Sequence, residues 1–361
     1  MVEIYNDVSS IEELVHKHDS IYLYGAGSSC KLLLYSFWDD VLKGHVNCII
    51  DANKELSGTS VNIGTDTIKI KDVEAFFDER DESGQIVLLL TPAFSSLIVE
   101  QLDRVEKFDG AIIYLLPMIC HNQCSEHFNI KSEECALIPK KIHYFWIGGN
   151  LLPDEYRRNI EGWRKLNPEY EIYCWNEENY DFTSMPYMKE AYLSGDVNLM
   201  YATDYARMDI LYRYGGIYLD TDVELLKPLD ELLYNKAFIG IEENAQLNSG
   251  SAIGAISGHP MIKKLMDCYV EEHFWDVEGK PKRVFNTYYE TKCFIDNGYK
   301  MVNCYQRICD MICFPRELFM PICFAGMDDC YTDQTISAHK INPEHHRVNR
   351  MSYEKWKDRI R

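Results

Sequence analysis

Asp220 and Asp222 close the run Tyr214-Gly-Gly-Ile-Tyr-Leu-Asp-Thr-Asp222, in which two carboxylates stand two residues apart behind three strand-like residues. Side chains at i and i+2 of an extended chain leave on the same side, so this spacing predicts that both acids reach one point. Hard cations such as Mg²⁺ or Mn²⁺ take one or two carboxylates and fill their remaining positions with water and phosphate oxygens. A lone Asp-x-Asp reads as a solvated acidic turn. The apolar Ile217, Tyr218 and Leu219 in front of it move the reading to a metal site at a strand end.

Other residues could share such a site. Asp204 and Arg207 are three apart on a predicted helix and so on one face. They read either as a surface ion pair, which is what the spacing alone favours, or as an acceptor and a donor for sugar hydroxyls. Trp146 ends a strand beside Gly148-Gly149. It fits a core tryptophan or a flat surface for a nucleobase, with the glycines allowing a ligand close to the backbone. Asn248-Ser249-Gly250 reads as a polar loop that could bind a sugar or simply turn the chain.

The elements that must position these residues fall into two sets. Ile21–Tyr24, Val46–Ile50, Ile86–Leu90 and Ala111–Leu115 are predicted strands, with helices over Ser28 to about Leu42 and Phe94–Lys107. Strand and helix in alternation imply a parallel, helix-covered sheet over residues 1–120. Residues 121–137 are polar and read as a linker. A second domain, 138–361, opens on the strand Lys141–Ile147 and continues with a helix over Asp154–Leu166 and a strand over Tyr170–Trp175. A long helix from about Asp196 to Tyr214 follows, stopped by Gly215-Gly216.

A net charge of −20 over 361 residues argues against a nucleic-acid partner held by its phosphates. It also requires a cation between the acids and any anionic substrate. The 13 cysteines are odd in number and irregular in spacing, which reads as buried free thiols in a reducing compartment. Without an apolar run of membrane-spanning length or a leader-like start, the expectation is a cytoplasmic protein. The stretch His339–Arg361 runs against the acidic trend, with Tyr353, Trp356 and Ile360 on one helical face. Packing of this tail on its own domain is the preferred reading. Peripheral contact with the inner face of a membrane is the other.

Together these pieces resemble a known family. The segments are Ile138-Pro-Lys-Lys-Ile-His-Tyr-Phe-Trp-Ile-Gly-Gly149, Trp163 with Asn167-Pro168 and Tyr170–Trp175, and Ala202-Thr-Asp-Tyr-Ala-Arg207 running on to Asp222. They are similar to the Asp-x-Asp sugar transferases of glycosyltransferase family 32. The resemblance implies an α/β protein: a GT-A nucleotide-sugar transferase domain behind a smaller Rossmann-like domain. It implies a retaining, metal-dependent hexosyltransferase using a UDP- or GDP-sugar donor and Mn²⁺ or Mg²⁺, with a glycan or lipid-linked acceptor, in capsular or surface polysaccharide synthesis. Trp146 would stack on the base, with Gly148 and Asn248 beside the donor. Asp204 and Arg207 would hold the sugar, Asp220 would touch ribose or metal, and Asp222 would ligate the metal. His339 is the candidate for the C-terminal ligand, with His345, His346 and Ser352 as rivals.

The N-terminal domain carries a separate signal. Gly25-Ala-Gly27 follows a strand and Asp51 ends the next, a pattern similar to a dinucleotide-binding start with Cys30 in place of the third glycine. A nucleotide could sit near Gly25, Gly27, Ser28 and Asp51. An empty or structural domain is preferred to one that binds NAD. An NAD-dependent nucleotide-sugar oxidoreductase or epimerase is the alternative function.

Overall fold

The computed structural model describes residues 1–80, 84–123, 127–340 and 343–361, which build two seven-stranded sheets. The first contains β1 (Glu3–Ile4), β2 (Ile21–Tyr24), β3 (Val46–Ile50), β4 (Ser60–Ile63), β5 (Asp66–Lys71), β6 (Val87–Leu90) and β7 (Ile112–Leu115), in the order β1-β7-β6-β2-β3-β5-β4. Every neighbour pairs in parallel except the β4–β5 hairpin. Val87-Leu-Leu-Leu90 is buried at each position, as a parallel strand covered on both faces must be. The strand order reverses between β2 and β6, which opens a crevice at their C-terminal ends. Helices α1 (Ile11–Lys17), α2 (Ser28–Phe37), α3 (Val73–Glu79), α4 (Ser95–Leu102) and α5 (Leu116–His121) complete this part. This is the Rossmann-like parallel sheet expected. The β4–β5 hairpin was not visible in the alternation of the sequence.

The second sheet is mixed. It consists of β8 (Lys141–Phe145), β9 (Glu171–Trp175), β10 (Gly216–Tyr218), β12 (Ala237–Ile241), β13 (Leu247–Ala255), β14 (Gln306–Ile308) and β15 (Met311–Phe314), ordered β14-β15-β12-β13-β10-β8-β9. β11 (Val223–Leu225) and β16 (Ser337–His339) form a separate antiparallel pair. The helices are α6 (Asp154–Leu166), α7 (Pro186–Leu193), α8 (Leu199–Tyr214), α9 (Pro260–Asp267), α10 (Asn286–Ile295) and α11 (Pro343–Trp356). No helix among the described residues is long and apolar enough to cross a membrane.

α8 is buried on most of its sides, polar residues included. It stops at Gly215 and Gly216, both at positive φ. A Cβ on Gly216 would lie 2.8 Å from His143 Nε2 and 2.9 Å from the Lys141 carbonyl, so only glycine lets the chain turn directly into β10.

Three expectations are corrected here. Asn248-Ser249-Gly250 is no loop: it lies in β13, a strand buried along its whole length, with the polar side chains hydrogen-bonded inside. Asp220 and Asp222 lie past the end of β10, in the turn leading to β11, so turn geometry and not strand alternation brings them together. The C-terminal helix packs on more than its own domain: it touches residues 324–328 of the second half, with the Arg350 backbone against Gly326, and also the first sheet. Trp356 is buried with Tyr353 and Ile360 against the core of the first sheet, and Ile360 bridges to Ile4. Lys355, Arg359 and Arg361 pair with Glu100, Asp103 and Glu3. The apolar face that would have entered a membrane is already covered, and these basic groups already have acidic partners.

The two halves share a core. One hydrophobic cluster runs from Leu33 and Phe37 of α2 to Cys293 and Phe294 of α10. Met301 N–H donates to Ser36 Oγ (2.9 Å), and Lys300 Nζ donates to the Ser36 carbonyl (3.0 Å).

Candidate active site

Phe145, Trp146, Tyr156, Leu199–Tyr201, Thr203, Asp204, Arg207, Tyr218, Asp220–Asp222, Phe285 and Asn286 line a cleft of about 260 Å³. Its floor is α8. Asp204 and Arg207 are each 4% exposed, so they are not the surface pair their spacing suggested. Arg207 Nη2 donates to Asp204 Oδ1 at 3.1 Å and Nη1 to Ser249 Oγ at 3.3 Å, and Nη1 lies 3.8 Å from Asp220 Oδ2. The guanidinium carbon sits 5.0 Å from the centroid of the Tyr218 ring. Burial would discharge Arg207, yet Asp220, Tyr218 and Asp204 more than reverse this, and its pKa is raised. Burial holds the Asp204 carboxyl well above the usual range despite Arg207.

Asp220 is tied from several sides. Its N–H donates to the Gly250 carbonyl (3.0 Å), and Tyr218 Oη donates to Oδ1 (2.8 Å). Burial raises the Tyr218 pKa well above its ordinary value, so this hydroxyl keeps its proton. Oδ2 lies against Gly250, where any Cβ would collide with it. Asp222 meets His339 through sheet pairing: β11 and β16 put Val223 opposite His339, and Lys340 N–H donates to the Asp222 carbonyl at 3.1 Å. His339 Nε2 lies 2.9 Å from Asp222 Oδ1. Burial alone would strip the proton from His339, but Asp222 outweighs it and the pKa rises. In turn burial would raise Asp222, and His339 lowers it below the usual range.

One ligand atom from each of Asp220, Asp222 and His339 lies within 4.8 Å of the others. Two carboxylates and an imidazole at that separation suit a single divalent ion. The buried Nδ1 of His339 has no hydrogen-bond partner among the described residues.

Several expected residues sit elsewhere. Gly148 does not line the cleft: it packs on Leu199, and its N–H donates to Glu177 Oε1 at 2.6 Å. Asn248 lies behind Asp220, with Oδ1 accepting from Gly250 N–H and Nδ2 donating to Glu242 Oε2, both at 2.8 Å. Of the rival ligands, Ser352 donates to the Ser96 carbonyl, His345 meets Phe94, and His346 lies 3.9 Å from Asp329. Trp146 does line the cleft, edge-on to Tyr156, with its indole N–H donating to the Asn150 carbonyl.

The N-terminal glycine loop is engaged on one side and exposed on the other. Asp51 accepts from the N–H groups of Ala26 (2.7 Å) and Asn53 (2.8 Å), Gly25 lies against Pro92, and Gly27 and Ser28 are exposed. Asn244 Nδ2 donates to the Thr91 carbonyl (3.0 Å) and Gln246 Nε2 to Ser29 Oγ (2.8 Å), so the second half of the chain occupies the crevice where a dinucleotide would lie.

Residues not anticipated also belong to the site. Asn286 lines the cleft, and its Nδ2 donates to Glu290 Oε1 at 3.0 Å. Glu290 is fully buried and accepts the Ser249 N–H at 2.8 Å. Their spacing of four on a helix was the available signal, in a region with weak periodicity.

Residues 153–239 match the family model described as "Glycosyltransferase sugar-binding region containing DXD motif". The chain is 34% identical over 140 residues to inositol phosphoceramide mannosyltransferase 3 of Schizosaccharomyces pombe, covering 38% of each chain. It is 29% identical over 160 residues to the initiation-specific alpha-1,6-mannosyltransferase of Candida albicans, covering 41% of this chain and 40% of that one. The chain thus spans about two fifths of the length of these relatives. Among solved structures, the PaToxG glycosyltransferase aligns over 44% of this chain and 68% of its own, with 17% identity and a TM-score of 0.35.

Proposed function

We propose, from the premise that the chain belongs to the DXD-containing sugar transferases of glycosyltransferase family 32, that it moves a hexose from a nucleotide sugar to a glycan or lipid-linked acceptor, with a divalent metal at Asp220 and Asp222. One observation carries this reading: Asp220 and Asp222, two members of a metal-fitting triad completed by the buried His339, line the same cleft as the buried Asp204–Arg207 pair.

The roles follow from the contacts. Asp222 and His339 would hold the metal, with Asp220 as the third ligand. The imidazole nitrogen in this set favours Mn²⁺ over Mg²⁺. When bound, the metal would offset the charge that builds on the nucleotide diphosphate as it leaves. Asp204 and Arg207, held by Ser249 and Tyr218, present a fixed acceptor and donor to sugar hydroxyls, and this pre-set geometry lowers the cost of orienting the donor. Trp146 offers a face for the base, and Asn286 an amide on the opposite wall. Transfer with retention, in which the departing diphosphate takes the acceptor's proton on the same face, completes the proposal.

The relatives' names are those of mannosyltransferases, which makes a nucleotide-linked mannose the first donor to try, and one of those names specifies inositol phosphoceramide, which supports a lipid-linked acceptor. The proposed setting is assembly of a surface or capsular glycan on the cytoplasmic side. The test is incubation with Mn²⁺ and a panel of UDP- and GDP-sugars, following release of nucleoside diphosphate. Turnover of one donor, stopped by chelator and restored by Mn²⁺, is expected. Undiminished turnover in excess chelator, or no turnover of any donor, overturns the reading.

A further inference from the structure

The first sheet reaches the cleft through one hydrogen-bonded path. Gln246 Nε2 donates to Ser29 Oγ at the start of α2 (2.8 Å), and Glu242 N–H donates to the Gln246 carbonyl (2.7 Å). Asn248 Nδ2 donates to Glu242 Oε2 (2.8 Å), and Gly250 N–H to Asn248 Oδ1 (2.8 Å). Asp220 N–H then donates to the Gly250 carbonyl at 3.0 Å. The links join the half-buried start of α2, the buried loop 242–246, the strand β13 and the turn after β10, so the path runs unbroken from a Rossmann-type helix start to the first acid of the Asp-x-Asp pair.

The loop carrying this path is held in a conformation it would not take alone. Asn244 and Ala245 have φ of 60° and 53°, the left-handed region that costs a side-chain-bearing residue free energy. Such backbone persists only where the surroundings over-determine it. Here they do: Asn244 donates to the Thr91 carbonyl and to Ser29 Oγ (3.3 Å), and Tyr299 Oη donates to the Ala245 carbonyl at 2.8 Å. Glu243, on the same loop, accepts from the N–H of Ala325 (2.9 Å), in the segment that covers the first sheet. The crevice that would bind a dinucleotide in an independent domain is filled by this loop.

We infer that the first sheet is a positioning unit for the donor site: Ser29, through the loop 242–246, holds Glu242 and Asn248 so that Gly250 keeps Asp220 in place. Ser29, Asn244 and Gln246 are positioning residues, and the crevice between the start of α2 and the end of β6 receives a protein segment at Ser29 and Thr91. That the held acid serves a donor rests on the function proposed above; the path itself does not.

The experiment compares the full-length protein with Ser29→Ala, Ser29→Thr, Asn244→Gly and, as an interface control off the path, Lys300→Ala. Asn244→Gly removes the side chain while keeping a residue that accepts positive φ. The first readout is hydrogen exchange at the amides of Asp220 and Gly250, which needs no substrate. Ser29→Ala and Asn244→Gly are expected to speed exchange there about tenfold, the scale of coupling through packed networks, with Ser29→Thr restoring the rate and Lys300→Ala leaving it unchanged. The second readout is donor turnover, where kcat is expected to fall more than KM rises. Wild-type exchange at Asp220 and Gly250 in both path variants, or equal acceleration in Lys300→Ala, overturns the inference. So does nucleotide binding at the N-terminal loop in equilibrium dialysis of the wild-type protein. A changed exchange pattern in a protein that turns over no donor leaves the positioning path standing and removes the proposed function.

Discussion

Asp51 and Asp220 each follow a strand of a parallel pairing, near glycines and a helix terminus, and sequence alone treats them alike. Their surroundings separate them. Asp51 accepts one backbone N–H bond from Asn53 in its own loop and one from Ala26 in the loop after β2, which ties the two turns together and engages both carboxylate oxygens. Asp220 takes one hydroxyl from Tyr218, stays beside Arg207, and has Asp222 and His339 within one ion's reach. A strand-end carboxylate becomes a functional group where the fold leaves part of its coordination unfilled. Where nearby N–H groups saturate it, it is structural.

The contrast can be broken by substitution. Asp222→Asn should lower donor turnover by about 10³-fold or more, the effect of removing a charge aimed at a developing anion, with the melting temperature almost unchanged. Turnover within a few-fold of wild type at saturating donor and Mn²⁺ would remove Asp222 from the site. Arg207→Gln should cost about 3–5 kcal/mol of stability in urea titration, because it leaves the buried Asp204 without its cation, and should abolish turnover as well. Asp51→Asn should cost about 2 kcal/mol of stability through weakened charge-assisted bonds. Its donor turnover should stay within a few-fold of wild type; a loss like that of Asp222→Asn would make the two acids equivalent after all.

The smallest expected effect is on pH. Ser352 and Lys355 hold Glu100 below its usual carboxyl range; burial would raise Asp103, but Arg359 outweighs it and the pKa falls. Carboxyls depressed on folding contribute stability above their unfolded values, near pH 4, and lose it as pH falls through the folded ones. The tail's clasp on the first sheet should therefore weaken below about pH 4. Arg359→Met should lower the melting temperature at pH 7 by an amount equivalent to roughly 1 kcal/mol, and this difference should shrink by pH 3. A difference constant with pH would show that the pair contributes nothing electrostatic.

Legibility from sequence followed the range of the interactions. β2, β3 and α6 were readable to the residue because local apolar periodicity and stop signals define them. β13 was misread as a loop around Asn248-Ser249-Gly250, since polar residues in a fully buried strand look exposed until their partners on Glu242 and Glu290 are known. The Asp204–Arg207 pair was misjudged for the same reason: spacing shows that two charges share a face, not what that face meets. Asn286 and Glu290 lie far along the chain from the motif, and their spacing of four on a helix was their one local mark.

By itself the sequence determined β2, β3 and α6, the helix stop at Gly215-Gly216 and the acidic pair behind a buried strand, because these depend on dihedral preferences and neighbours a few residues away. Only the tertiary structure decided that His339 meets Asp222, that the C-terminal helix joins the first sheet, and that a loop of the second half fills the N-terminal crevice. Those outcomes depend on pairing and packing between segments about a hundred or more residues apart, and no local pattern encodes which partner completes a buried polar group.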